Sequence, residues 1–228
     1  MLVIKSEWLR KWLKIILPFL LIPSLVLLTP VQEQAQYYAL ISFLTAIMAL
    51  LLFFAGFDRR ELGTRRMILV SAMTALSVLG RLLPLIKPIT ALTVLSAMYL
   101  GPEAGFLVGA LSAVLSNFVM GQGPWTPFQM LAWGMIGLFA GYLAKPLIRS
   151  RLLLYGYGFL SGIGYSMLLD IWTTVWTYKE FTLPEYLAAI TSALPLTALY
   201  AVSNVIFLAI FAKPIGDKLS RIKKKYGL

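Results

Sequence analysis

The sequence contains no cysteine and no histidine among its 228 residues. These absences exclude thiol nucleophiles, Ser-His hydrolase triads, HExxH zinc sites and disulfides. Acidic residues are scarce as well, nine Asp and Glu in all, so a metal site built from carboxylates alone has few places to sit. No GxxxxGKS/T stretch occurs, which excludes ATP binding through a phosphate loop. Any ATP-driven work falls to a separate subunit. The expected function is therefore non-enzymatic, with neither cofactor nor metal.

What fills the chain is apolar. Hydrophobic residues make up 60% and charged residues 13%, with a mean hydropathy of +0.83, whereas a soluble domain is about half apolar and about a quarter charged. This composition predicts an all-α integral membrane protein. Roughly 20 apolar residues cross the hydrocarbon core, and apolar runs between charged or turn-rich breaks predict eight spans, at about 12–31, 36–57, 66–86, 88–100, 102–121, 126–148, 152–177 and 186–212. The net charge of +11 fits basic cytoplasmic loops better than a nucleic-acid partner. With both termini cytoplasmic, only Arg81, Lys87 and Lys179 of the 20 basic residues fall outside. That bias supports both the count and the orientation. The start loosely imitates a secretory signal peptide, but Pro18 and Pro23 interrupt its apolar part and no A-x-A pattern precedes Gln36, so a retained span is expected. The basic stretch at 58–66 divides a two-helix preface, 1–57, from a six-helix unit with a basic cytoplasmic tail, 67–228.

The fourth span is too short. Thirteen residues from Pro88 to Leu100 reach ~20 Å, less than the ~30 Å core. Either broken backbone around Pro84 and Lys87 opens on an outer cavity, or an ordinary loop carries a short tilted helix.

Two helices share a strip of small residues ending in a polar group. One runs Gly101, Gly105, Gly109, Ala113, Asn117; the other runs Gly158, Gly162, Ser166, Asp170. Gly134, Gly137 and Gly141 add a third set. Small residues at this spacing let helices approach closely in lipid, and the polar ends predict a bundle that opens outward. Asp170 is costly at that depth unless paired or wet. Its candidate partner is Arg81, with Lys87 second, and such a pair either locks helices or serves a ligand. The turn Gly121–Gln129 has two glycines, two prolines, Trp125 and the amides of Gln122 and Gln129. An aromatic belt suffices for Trp125 and Trp176, while Trp133 is expected in the bundle interior or a ligand pocket. Together, Arg81, Asn117, Gln122, Trp125, Gln129, Trp133, Asp170 and Trp172 form the expected substrate site. A lone carboxylate with tryptophans looks more like capture of an organic ligand than ion coupling, which usually uses several intramembrane acids.

From about residue 64 onward the chain resembles the S components of energy-coupling factor (ECF) transporters, small membrane subunits that bind vitamins for uptake. The resemblance is carried by Ser71–Arg81, Pro88–Leu92, Gly101–Gly109 and Gly121–Met130. Its Gly-Pro-Trp-Thr-Pro turn looks most like the subgroup associated with cobalamin or related corrinoids. The resemblance implies a T component and two ABC-type ATPases as partners, in a prokaryotic plasma membrane. It also implies that Ser71 and Ala75, at the positions of an AxxxA surface, meet the T component. The vitamin would be captured outside and delivered as the bundle reorients. The preface at 1–57 is extra to the usual six spans. Rival readings are a stand-alone secondary carrier of a small organic solute and a membrane scaffold without a ligand.

Overall fold

The computed structural model describes residues 4, 6–28, 35–56, 60–83 and 88–226. Lys5, Asp58, Arg59, Pro84 and Lys87, which carry part of the expected charge bias, domain boundary and pairing, lie outside the described residues.

Every element among the described residues is helical. The chain opens with α1 (Glu7–Ile16), capped by Ser6, whose Oγ accepts from the Leu9 amide at 3.3 Å. It passes through a π-helical turn (Leu17–Leu21) into α2 (Ile22–Leu27). Pro18 and Pro23 lie in the first turns of these last two segments, so the missing amides widen the helix locally without stopping it. There follow α3 (Ala35–Ala55), α4 (Arg60–Arg81), α5 (Ile89–Leu100), α6 (Pro102–Met120), α7 (Thr126–Tyr142), α8 (Ala144–Arg149), α9 (Arg151–Tyr178) and α10 (Leu183–Tyr226). Among these, α3 from Gln36, α6, α9 and α10 are long and apolar enough to cross a membrane.

Punctuation by glycine and proline is visible at both ends of α6. Gly101 (φ 101°) and Gly121 (φ 103°) adopt backbone that a side chain disfavours, and Pro102 takes the first helical position, where no amide is needed.

Two elements bear on the sequence expectations here. The broken backbone expected around Pro84 and Lys87 lies outside the described residues, but the short helix α5 itself can be placed. It is enclosed, with every residue except Tyr99 buried, and packed by α4, α6, α7, α8, α9 and α10. A helix wrapped by protein on all sides has no need to match the bilayer thickness. The tail does change: α10 continues through 44 residues and past Pro195 and Pro214, about 66 Å at ~1.5 Å per residue, roughly twice the hydrocarbon core. The basic stretch at its end is thus part of the helix.

The small-residue strips act at backbone distance. A Cβ on Gly137 would stand 2.3 Å from the Gly105 carbonyl oxygen, and one on Gly109 would stand 2.4 Å from that of Trp133. This joins α6 to α7. A Cβ on Gly162 would lie 2.6 Å from the Ala201 Cα, joining α9 to α10. The N-terminal helices belong to the same core: Leu17, Ile22, Val26, Leu52 and Phe53 are buried in one cluster with Phe106 and Val108 of α6. At the end of the bundle marked by Gly101, Lys14 of α1 pairs with the buried Glu103 of α6 at 3.0 Å. Nearby, the Arg66 guanidinium donates to the carbonyls of Gly56 (3.4 Å) and Leu100.

Candidate functional site

The opposite end of the bundle gathers the last turn of α4, the first turns of α5 and α7, the second half of α9 and the first half of α10. Arg81 closes α4 there and is only 6% exposed. Its Nη1 donates to Ser116 Oγ (2.5 Å), Asn117 Oδ1 (2.8 Å) and the Ala113 carbonyl (3.4 Å), and its Nη2 donates to Gln129 Oε1 (3.2 Å). Asn117 Nδ2 in turn donates to Thr126 Oγ1 (2.8 Å) and Gln129 Oε1 (2.9 Å). Every acceptor around this buried cation is neutral. Its Nε has no acceptor at all.

The guanidinium lies over the Trp133 ring, 4.9 Å from its centre, while Tyr165 stacks on Trp133 at 4.6 Å and 22°. Trp133 also donates from Nε1 to Thr90 Oγ1 at 3.1 Å. Beyond Tyr165, Tyr200 of α10 stands edge-on at 5.5 Å. A cation over a ring face and an offset ring pair are both favourable contacts. They hold Trp133 in the bundle interior.

Two cavities open in this region. A deep one of about 40 Å³ is bounded by Arg81, Thr90, Trp133, Tyr165, Tyr200 and Asn204, among others. A wider one of about 420 Å³ lies between α9 and α10. Gln129, Tyr165 and Tyr200 line both. Asp170, 6% exposed, lines the wider cavity. Its Oδ2 receives no hydrogen bond, and among the described residues no cation lies within ion-pair distance of it. Trp172, also lining this cavity, leaves its buried Nε1 without an acceptor. Trp125 meets Trp172 edge-on at 5.7 Å and Trp172 stacks on Trp176 at 6.0 Å. An aromatic wall thus carries two unanswered polar atoms of opposite hydrogen-bonding character.

The expected site residues divide accordingly. Arg81, Trp125, Gln129, Trp133, Asp170 and Trp172 line one or both cavities. Asn117 sits behind them, ordering Arg81 and Gln129. Gln122 is exposed and holds the turn, donating to the Val114 carbonyl (2.9 Å) and accepting from Thr126 (3.0 Å). The expected Arg81–Asp170 pair is corrected. Arg81 faces α6 and α7, Asp170 faces the start of α10, and Gln129 and Tyr165 occupy the partition between their cavities.

Sequence reasoning missed Thr90, Tyr165, Tyr200 and Asn204. Tyr165 stands three residues after Gly162 and so shares its helix face, a signal that was available. Nothing local marks Tyr200. Ser71 and Ala75 are exposed on α4, beside a separate apolar groove of about 220 Å³. Among the described residues, no group of three or more Asp and Glu side chains converges to hold a metal ion.

A family model described as "ECF-type riboflavin transporter, S component" matches residues 61–221. Neither a curated protein nor a solved structure matches the chain.

Proposed function

We propose that this chain, which belongs to the ECF-type riboflavin transporter S component family, is the flavin-capturing subunit of an ATP-driven vitamin importer. S components are transporter subunits, not enzymes. They work with a T component and ATPases in the prokaryotic plasma membrane. The finer points are our reading: eight crossings, both termini in the cytoplasm, a six-helix unit after a two-helix preface, and a ligand site facing outward. The basic residues support that orientation, since Lys145 and Arg149 of α8 and Arg151 at the start of α9 lie at the end away from the cavities.

The observation that carries the flavin assignment is the wider cavity of about 420 Å³, walled by Trp125, Trp172, Tyr165 and Tyr200 around an unpaired Asp170. Its size falls in the range of roughly 300–1,000 Å³ typical for small-ligand sites. Flat aromatic walls suit a fused-ring ligand, and a carboxylate suits hydroxyl donors. A corrinoid, the ligand suggested by the Gly121–Met130 turn, carries a macrocycle and a nucleotide loop and is far bulkier; the family match lends that subgroup no support.

The test is a titration of the detergent-purified protein with riboflavin, followed by quenching of flavin fluorescence, with cobalamin, thiamine and biotin as comparison ligands. Saturable quenching by riboflavin, with no competition from the other three, is expected. Cobalamin binding without riboflavin binding would restore the corrinoid reading. Absence of binding to all four would remove the capture role.

A further inference from the structure

Arg81 and Asp170 are both buried, oppositely charged and unpaired with each other, and each leaves a nitrogen or oxygen without a partner beside a cavity. Burying a charge with no opposite charge is expensive, and direct pairing of the two buried groups would offset part of that cost. This fold keeps them apart. Gln129, Tyr165 and Tyr200 stand in the partition, and Asp170 lies five residues beyond Tyr165 along α9, about 7.5 Å further toward the helix end. The two charges therefore stand in two adjoining cavities that share Gln129, Tyr165 and Tyr200 as walls.

We infer that the site is two-ended and reads the direction of its ligand: Arg81 takes the carbonyl-bearing acceptor edge of a planar ring, and Asp170 takes a hydroxyl-bearing chain of donors. This rests on the flavin reading above, because riboflavin has a dioxopyrimidine edge at one end of its ring system and a ribityl polyol attached elsewhere on it. Asp170 offers only acceptors when ionised, and Trp172, lining the same cavity, offers one donor from Nε1, so a chain of hydroxyl groups, each both donor and acceptor, answers both. Arg81 has a free Nε–H and no acceptor capacity, so it answers carbonyl oxygens and rejects ammonium groups. The ring between these ends lies against Tyr165 and Tyr200. Trp133 is excluded as a stacking platform, since Arg81 covers one face and Tyr165 the other.

The experiment compares riboflavin with lumiflavin, which has the same ring with a methyl group in place of the ribityl chain. Affinities for both are measured on the wild-type protein, on Asp170→Asn and on Arg81→Gln and Arg81→Lys. The wild type is expected to favour riboflavin. In Asp170→Asn, loss of charge-assisted hydrogen bonds lowers riboflavin affinity by roughly ten- to a hundredfold, so that the riboflavin-to-lumiflavin ratio collapses toward one. Arg81→Gln lowers both affinities together and leaves the ratio in place. Arg81→Lys keeps the buried charge and guards against reading a folding defect as lost recognition, and size-exclusion profiles of all variants are compared. An unchanged ratio in Asp170→Asn, with riboflavin still bound by the wild type, overturns the two-ended site alone. Failure of the wild type to bind riboflavin overturns the flavin reading and this inference with it.

Discussion

At the level of single residues, the site separates groups that build it from groups left to meet a ligand. Trp133 belongs to the first kind. Its two faces and its indole N–H are already engaged by Arg81, Tyr165 and Thr90, so its truncation loosens the floor of the cavity instead of deleting a ligand contact. Trp133→Ala is expected to cost about 3–5 kcal/mol, the usual range for a large buried aromatic, and to weaken riboflavin binding through the displaced Arg81 and Tyr165. Trp133→Phe keeps a ring between them and loses only the hydrogen bond to Thr90. Thermal unfolding in detergent, read beside the flavin titration, should rank the three proteins wild type, Phe, Ala in both assays; an Ala variant equal to wild type would show that the stack bears no load. Much of this floor was legible in the sequence. Arg81, Gln129 and Asp170 stand out because charges and amides are rare in apolar runs, and rarity is itself a signal. Tyr165 and Tyr200 were harder to find, since this chain has 11 tyrosines and only the α9–α10 contact selects these two. The Arg81–Asp170 pairing failed for a related reason. Complementary charge on the same side of the membrane says nothing about which side chains face each other across a bundle.

At the level of helices, the sequence located elements better than it described their surroundings. A helical segment occurs in the place of each predicted apolar run, because charged and turn-rich breaks interrupt them. The length argument for the fourth run correctly identified an anomaly. Its cause, enclosure on every side, depends on six other helices and cannot be read from twelve residues. The extension of α10 was missed because Pro214 and the lysines that follow read as a stop, although a proline in a long helix can be absorbed by a kink. The glycine spacing in α6 and α7 was informative. Gly137 meets the backbone of Gly105, which cannot swing aside as a side chain would, so Gly137→Ala must separate the helices. Overpacking of this kind costs about 1–3 kcal/mol. Gly156 on α9 has open space where a Cβ would stand, with nothing within 4 Å, and supplies the control: Gly156→Ala should leave the unfolding midpoint unchanged or slightly raised, through better helix propensity. Equal midpoints for the two variants would mean that α6 and α7 are not held at backbone distance.

For the molecule as a whole, the proposed ligand site and the proposed partner contact lie on different surfaces. The residues that line the cavities cluster at one end, whereas Ser71 and Ala75 lie exposed on the flank of α4. Next to them runs the apolar groove, bounded by Leu50 and Phe53 of α3 and by Leu107, Leu111 and Leu115 of α6. The α3 wall lies outside the stretch that matches the family, so a T component docking on α4 would also meet the N-terminal hairpin. That hairpin shares the core of α6 and is tied to it by Lys14 and Glu103, and any reorientation of the bundle must carry it along. Close approach of helices in lipid depends on small residues at the contact. On the proposed contact, Ala75→Leu places a branched side chain where the T component's backbone would pass, while touching neither cavity. Co-expressed with its T component and ATPases, this variant is expected to lose co-purification of the complex and to lose riboflavin uptake, yet to bind riboflavin in detergent with wild-type affinity. Ala75→Gly, which keeps the surface open, should retain assembly. If the leucine variant assembles normally, the partner surface lies elsewhere, and the groove beside α3 becomes a lipid-facing seam. If it loses ligand binding as well, α4 transmits a distortion to Arg81 at its end, and the two surfaces are not independent.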